Sequence, residues 1–371
     1  MYVETLPILS TTPGCQYAIE VCRFGASGVG PKAYIQAAMH ADEVPAILVA
    51  QQLRQGLLEL EQQGQLVGEV VLVPYANPIG LAQHVLGQHH GRFDLRDGAN
   101  FNRGYAELGA RLAEHLRASL TQDARHNTQI LRRALRDQAG KLEFGTPTQH
   151  LKVSLLQLAI DADIVLDLHC DAEAQMHVYA LSPQRETACE LGALLGATAV
   201  LLATESGASP FDEACSRPWL QLQQRFTGFP IELACFGATI ELRGEADTDH
   251  HLAARDAQAI LGFLRRRGVL AGELPTLPAA LCEPTPLAGS EPITAPSAGV
   301  VVFRCVVGQR VSAGDPIADL VDASTGGITT LCCQSDGVVY ARCGSRWAHP
   351  GKRLAKIAGT SLARTGKLLS P

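Results

Sequence analysis

The sequence predicts an α/β fold: a mixed, mostly parallel sheet flanked by helices, followed by a second, small all-β domain. Two observations predict the first part. Short apolar runs free of breakers, at 33–38, 70–73 and 164–168, read as buried strands. They alternate with longer segments of helical period, the order expected of parallel strands joined by right-handed crossovers. A third observation predicts the second part. After Pro275, Pro278, Pro284, Pro286, Pro292 and Pro296 break all helical period, Ser297-Ala298-Gly299-Val300-Val301 is echoed by Ser335-Asp336-Gly337-Val338-Val339. The expected division is a catalytic domain over 1–271, a Pro-rich linker over 272–292 and a small β-barrel or sandwich over 293–371.

The elements follow in order. Residues 1–30 alternate apolar and polar around Tyr17 to Phe24 and end in a Gly-rich turn, an edge hairpin leading into the strand before His40. Glu43 then opens the periodic run Val44 to Leu60, a helix. The strand 69–73 stops at Pro74. The segment from Gln88 to Arg103 lacks period and is dense in polar groups, as a loop would be. From Ala106 to Asp161 leucines at helical spacing predict helices with core faces. Strands resume at 164–168, 176–181 and 199–203. A polar connection from Glu205 to Pro230 leads to the strand around Ala238 to Leu242, and the helix Thr248 to Gly268 closes the domain, with Arg265, Arg266 and Arg267 at its C-terminal end, where cations suit the dipole. His250 and His251 are expected at its surface.

Composition excludes several function classes. With 371 residues and 46% hydrophobic content the chain can bury a large core, which favours a globular enzyme. A net charge of -6 is unlike the basic footprint of a nucleic-acid binder. No apolar stretch approaches the roughly 20 residues that cross a bilayer, so no membrane partner is expected. The eleven cysteines are odd in number and irregular in spacing, and the first residues lack a basic segment followed by an apolar one. Both point to reduced thiols in the cytoplasm. Self-association into a homo-oligomer is left open.

His40-x-x-Glu43 sets an imidazole and a carboxylate three residues apart just after a strand, the spacing of a metal site. Asp167-Leu168-His169 places a second imidazole at the end of the run Ile164-Val165-Leu166, with Asp167 near enough to support it. In an open α/β sheet ligands bind beyond the carboxyl ends of strands, where both histidines fall. The bland alternative is a hydrogen-bonded histidine of the core or surface, the commoner fate of any single one. Glu241 lies inside the apolar run Ala238-Thr239-Ile240-Glu241-Leu242, where a charge is costly unless paired. Arg243, on the same face of a regular strand, is the competing partner.

These motifs, together with Asn102-Arg103 and Thr239-Ile240-Glu241-Leu242-Arg243-Gly244, resemble the succinylglutamate desuccinylase and aspartoacylase family, zinc hydrolases on a carboxypeptidase A-like fold. The likeness spans about 30 to 270. It implies one zinc ion per chain held by His40, Glu43 and His169, with water in an open position. Glu241 would be the base, and Asn102 and Arg103 would hold a substrate carboxylate. An arginine upstream would polarise the scissile carbonyl, with Arg96 the first candidate and Arg92 the second. The implied substrate is an N-acyl amino acid. A metallocarboxypeptidase and a non-catalytic binding protein on the same fold are the alternatives. The C-terminal part looks like a biotinyl/lipoyl-carrier fold. No lysine lies between Thr294 and Arg346, so the hairpin around Ser324-Thr325-Gly326-Gly327 cannot carry the prosthetic group, and the domain is expected to be structural, a lid or an interface.

Overall fold

A computed structural model describes residues 1–112, 114–361 and 363–369. Nine strands form one sheet in the spatial order Tyr2–Ile8, Tyr17–Gly25, Glu69–Val73, Lys32–Ala37, Ile164–Asp171, Phe236–Gly244, His177–Leu181, Ala199–Ala203 and Thr285–Pro286. Pairing is antiparallel in the N-terminal hairpin, between Tyr17–Gly25 and Glu69–Val73, and between Phe236–Gly244 and His177–Leu181. It is parallel elsewhere. The mixed, mostly parallel sheet expected from the apolar runs is present.

Those runs are continuous because both faces are covered. Successive side chains point to opposite faces. Ala33, Ile35, Ala37, Ile164, Leu166 and Leu168 pack with the helices Pro45–Gln62, Arg185–Leu195 and His250–Arg266. Tyr34 and Val165 face Ala124–Ala139, Pro147–Ala159 and Phe211–Arg225 on the other side. Leu53, completely buried in the first layer, illustrates the energy involved. Truncating such a leucine to alanine costs about 2–5 kcal/mol.

The structure departs from the sequence reading in three places. The polar connection from Glu205 to Pro230 contains the helix Phe211–Arg225, with Pro218 inside it. A proline in a helix interior removes a donor and crowds the preceding turn, but complete burial of Phe211, Trp219 and Leu222 holds the helix in place. The Leu108, Leu112, Leu116 series is not one helix, because the chain turns extended at Leu112 (ψ 135°) after a single helical turn. Within the Pro-rich stretch, Thr285–Pro286 forms the last parallel edge strand, pairing with Leu201 and Leu202. Proline is tolerated at a sheet edge.

Beyond it lie two small antiparallel sheets. One orders Glu291–Thr294, Arg353–Ala358, Gly337–Arg342 and Arg310–Val311, the other Gly327–Cys332, Pro316–Asp322, Gly299–Phe303 and Trp347–Ala348. The first takes an extra strand from the large domain: Glu173–Ala174 pairs antiparallel with Gly337–Arg342. Arg342 and Arg346 both bond Glu173, and Lys356 bonds Asp171, so charge pairs flank this seam. No helix among the described residues is long and apolar enough to cross a membrane.

Candidate active site

Adjacent parallel strands bring the two histidines together. Ala37 is in register with Leu168, so His40 and His169 leave the carboxyl ends of neighbouring strands. The turn before His40 is unusual, since Ala38 has φ 60°, a left-handed conformation disfavoured for residues with a Cβ. Backbone and side-chain bonds hold it: Ala76 N–H donates to Ala37 O (2.9 Å), Asn77 Nδ2 to Met39 O (2.9 Å) and Ala41 N–H to Gly91 O (3.1 Å).

Glu43 sits between the imidazoles. Its Oε1 lies 2.8 Å from His40 Nδ1 and its Oε2 lies 2.7 Å from His169 Nδ1, while Cys170 N–H donates to Oε2 at 3.1 Å. All three side chains are buried, and one ligand atom from each lies within 4.8 Å of the others. The outer nitrogens are engaged: His40 Nε2 with Asn100 Oδ1 at 3.0 Å, and His169 Nε2 with Asp167 Oδ2 at 2.9 Å. This is the support that metal-binding imidazoles usually receive, and it leaves both Nδ1 atoms turned toward one point. Two nitrogens and a carboxylate oxygen make a group that could hold a metal ion.

The charges follow from burial and neighbours. Burial, then Arg92, pushes the His40 imidazole down to about 4, favouring the neutral form that a metal requires. Burial also opposes a charge on His169, but the Asp167 and Glu43 carboxylates outweigh it and raise that group well above the usual histidine range. For Glu43 burial favours protonation, yet His40 and His169 hold the carboxyl well below its ordinary value.

Glu241 is in register with His169 across the parallel pair. Its Oε2 is shut from solvent and has no hydrogen-bond partner among the described residues. Arg243 does not neutralise it. Register slips between Glu241 and Gly244, Arg243 adopts φ 67°, and its guanidinium instead bonds buried Asp256. The regular strand face assumed from the sequence is broken by this irregularity. Burial, then the charge of Glu43, pushes the Glu241 carboxyl up to about 8.

The polar loop delivers two arginines to the cavity, and Arg96 is not one of them. Arg96 bonds Asp94 through Nε (2.9 Å) and NH2 (2.6 Å) and reaches Thr148 on a neighbouring helix. Arg92 lines the cavity, with NH1 3.1 Å from His40 Nδ1 and 3.4 Å from Glu43 Oε1. Just before Arg92, Gly91 presses against the backbone of Ala41 and Asp42, where a Cβ would collide. Lys152 clamps the end of the loop, donating to Asn100 O and Arg103 O at 2.8 Å each.

Asn102 and Arg103 both line the cavity. The Asn102 amide is already engaged, Nδ2 donating to Asp167 Oδ2 (3.0 Å) and Oδ1 accepting from Phe211 N–H (3.1 Å), so it orients the His169 support. The half-buried Arg103 guanidinium donates to Asn102 O at 2.8 Å and feels Glu241 and Asp212 nearby.

The cavity holds about 230 Å³, and both domains wall it: Arg342, Arg353 and Lys356 come from the small one, and Ser206, Asp212 and Glu213 from the connection and helix that the sequence reading passed over. A Pro-Phe-Asp-Glu run opening a helix was a legible signal for the last two. No local signal marked the residues of the small domain, which reach the site only through tertiary pairing.

A mixed α/β sheet with a buried His/Glu/His group at its strand ends, walled by arginines, defines an α/β protein with a candidate metal centre. The model of the succinylglutamate desuccinylase/aspartoacylase catalytic domain matches residues 29–267, and the chain belongs to that family. A family protein from Shewanella amazonensis is 30% identical, with 96% of this chain and 98% of that one covered and a TM-score of 0.84. A second protein of this type, from Shewanella frigidimarina, is 27% identical, with 97% of each chain covered and a TM-score of 0.83. The ectoine utilization protein EutE from Ruegeria pomeroyi shares the fold at 16% identity, with 97% and 95% covered and a TM-score of 0.66. A search of curated proteins returned no match.

Proposed function

We propose that this chain is a zinc-dependent hydrolase that cleaves the amide bond of an N-acyl amino acid or a similar small amide carrying a carboxylate. The observation that supports it most is the convergence of two Nδ1 atoms and the Glu43 carboxylate beside an acid, Glu241, that no cation of the protein bonds among the described residues.

A zinc ion held by His40, Glu43 and His169 would supply Lewis acidity, making a water acidic near neutral pH and polarising a carbonyl. Arg103 holds the substrate carboxylate through its planar fork. Arg92 donates to the carbonyl oxygen as negative charge builds there. Glu241 takes a proton from the attacking water, whose oxygen bonds to the carbonyl carbon. The carbon–nitrogen bond then breaks, and Glu241 passes the proton to the departing amine.

The rival within enzymes is a metallocarboxypeptidase acting on a peptide C-terminus. A cavity of about 230 Å³ walled by the second domain favours a small amide over a polypeptide. Eleven cysteines without a disulfide support a reducing, cytoplasmic setting. The test combines metal analysis with a screen of N-acyl amino acids and C-terminal dipeptides on zinc-loaded protein. Turnover of dipeptides alone would replace this reading by the carboxypeptidase, and absence of both metal and turnover by a binding protein.

A further inference from the structure

Lys152, on the helix Pro147–Ala159, is half-buried and forms no ion pair among the described residues. Burial pushes its ammonium down to about 8, with Asp97 opposing the shift and the like charge of Arg103 adding to it. A cation in such a place is costly without a counter-ion, so its neutral partners must account for it. An ammonium has three donors and no acceptor. Lys152 Nζ gives one to Asn100 O and one to Arg103 O, both at 2.8 Å, and it lies 5.8 Å from the centre of the Tyr105 ring. All three partners belong to one short stretch of chain, outside any helix or strand.

That stretch carries two separate tasks. At its start, Asn100 Oδ1 meets His40 Nε2 at 3.0 Å and also accepts Asn102 N–H at 2.8 Å. At its end stands Arg103, whose guanidinium lines the cavity. A single nitrogen atom therefore ties the carbonyl of a residue that supports a metal-site imidazole to the carbonyl of a residue that faces the substrate. We propose that Lys152 is a positioning residue for both halves of the site: its ammonium fixes 100–103 as one unit, so that metal affinity and the grip on a substrate carboxylate are set together. The part concerning Arg103 rests on the amide-hydrolase reading and deepens it. A clamp that served the fold alone would show itself in stability and in neither of these quantities.

The experiment uses the full-length protein and reads two quantities in each variant. Zinc affinity is measured by competition with a chromogenic chelator. Preference for an acid over its neutral amide is measured by calorimetry and by kcat/KM, with N-acetylalanine, N-acetyl-leucine and N-acetylglutamate, each beside its α-amide. Lys152→Met keeps the length and apolar stem but removes every donor. It should weaken zinc binding roughly 10- to 100-fold, the usual size of lost support for a ligand imidazole. It should also cut the acid preference by about tenfold or more, as a displaced binding group does. Lys152→Arg, whose fork can reach two carbonyls, should recover most of both. In an Asn100→Ala background, Lys152→Met should no longer weaken zinc binding yet should still lower the acid preference, because the route to His40 is already cut. A lower Tm in Lys152→Met with both quantities within about twofold of wild type would make the clamp merely structural. Loss of one quantity alone would mean that the stretch does not act as a unit; either result overturns the proposal. Where methionine prevents folding, Lys152→Gln, which leaves one amide group for the two carbonyls, gives the same comparison. Turnover by wild type decides the hydrolase reading, and the affinities of the variants decide this inference, so the two fail separately.

Discussion

Arg92→Ala and Arg96→Ala, four positions apart in one loop, should have opposite signatures. Arg92 places NH1 3.1 Å from His40 Nδ1 and lines the cavity, so it can meet the oxygen that gains charge during attack. Removing one such donor typically costs about 2.7–4 kcal/mol, or roughly 10²–10³ in kcat. Arg96 holds Asp94, which is 1% exposed but keeps a Thr148 hydroxyl and the backbone N–H of residue 96 (3.0 Å) when the guanidinium is gone. Losing that pair should cost about 1–2 kcal/mol of stability, a Tm lower by a few degrees, and change kcat/KM less than about threefold. Steady-state kinetics on the best N-acyl amino acid, beside thermal unfolding of each variant, makes the comparison. If Arg96→Ala lost a hundredfold in kcat/KM with an unchanged Tm, while Arg92→Ala stayed within tenfold of wild type, the assignment drawn from these contacts would be wrong.

His169→Ala should drop bound zinc well below about one equivalent per chain, read by elemental analysis, because one of three ligands is lost. Glu241→Gln should keep metal and fold but lose most turnover. In metal-free protein it should also stabilise. The folded carboxyl binds its proton up to about 8 against an ordinary 4.5, so the stability linked to that proton is full below 4.5 and lost as pH rises through 8. The glutamine, having nothing to lose, should gain on wild type over that window, measured by unfolding at several pH values. Arg103→Ala should cost about 2–5 kcal/mol in kcat/KM on an acid substrate and abolish its preference over the neutral amide, with only partial recovery in Arg103→Lys. Gly91→Ala should destabilise by about 1–3 kcal/mol and lower activity together, since the added Cβ strikes the Ala41 and Asp42 backbone and moves Arg92.

Runs such as Ala33 to Ala38 and Ile164 to Leu168 were legible because a strand covered on both faces must be mainly apolar, a constraint visible without knowing its neighbours, and their buried polar exceptions, Gln36 and Asp167, bond each other at 2.8 Å. The His40, Glu43 and His169 set was legible for a related reason, each residue standing just past such a run. Arg92 was less so: it meets His40 across 52 positions, a contact that no local spacing encodes. The same holds for Arg243, whose pairing with Asp256 follows from one positive φ. The helix Phe211–Arg225 was hidden by Pro218, whose local penalty is outweighed by the burial of Trp219.

The strand pairing of Ala174 with Ala341 and of Glu173 with Arg342 has a consequence for how such a protein diversifies. Partners about 170 positions apart in the gene are neighbours in one hydrogen-bonded ladder, and the charges Asp171 and Glu173 are answered by Lys356, Arg342 and Arg346. A lineage that altered one side alone would strand a charge two residues from His169. Substitutions across this seam should therefore be inherited in matched sets, and a small domain transplanted from a divergent relative should fail unless residues 171–174 travel with it.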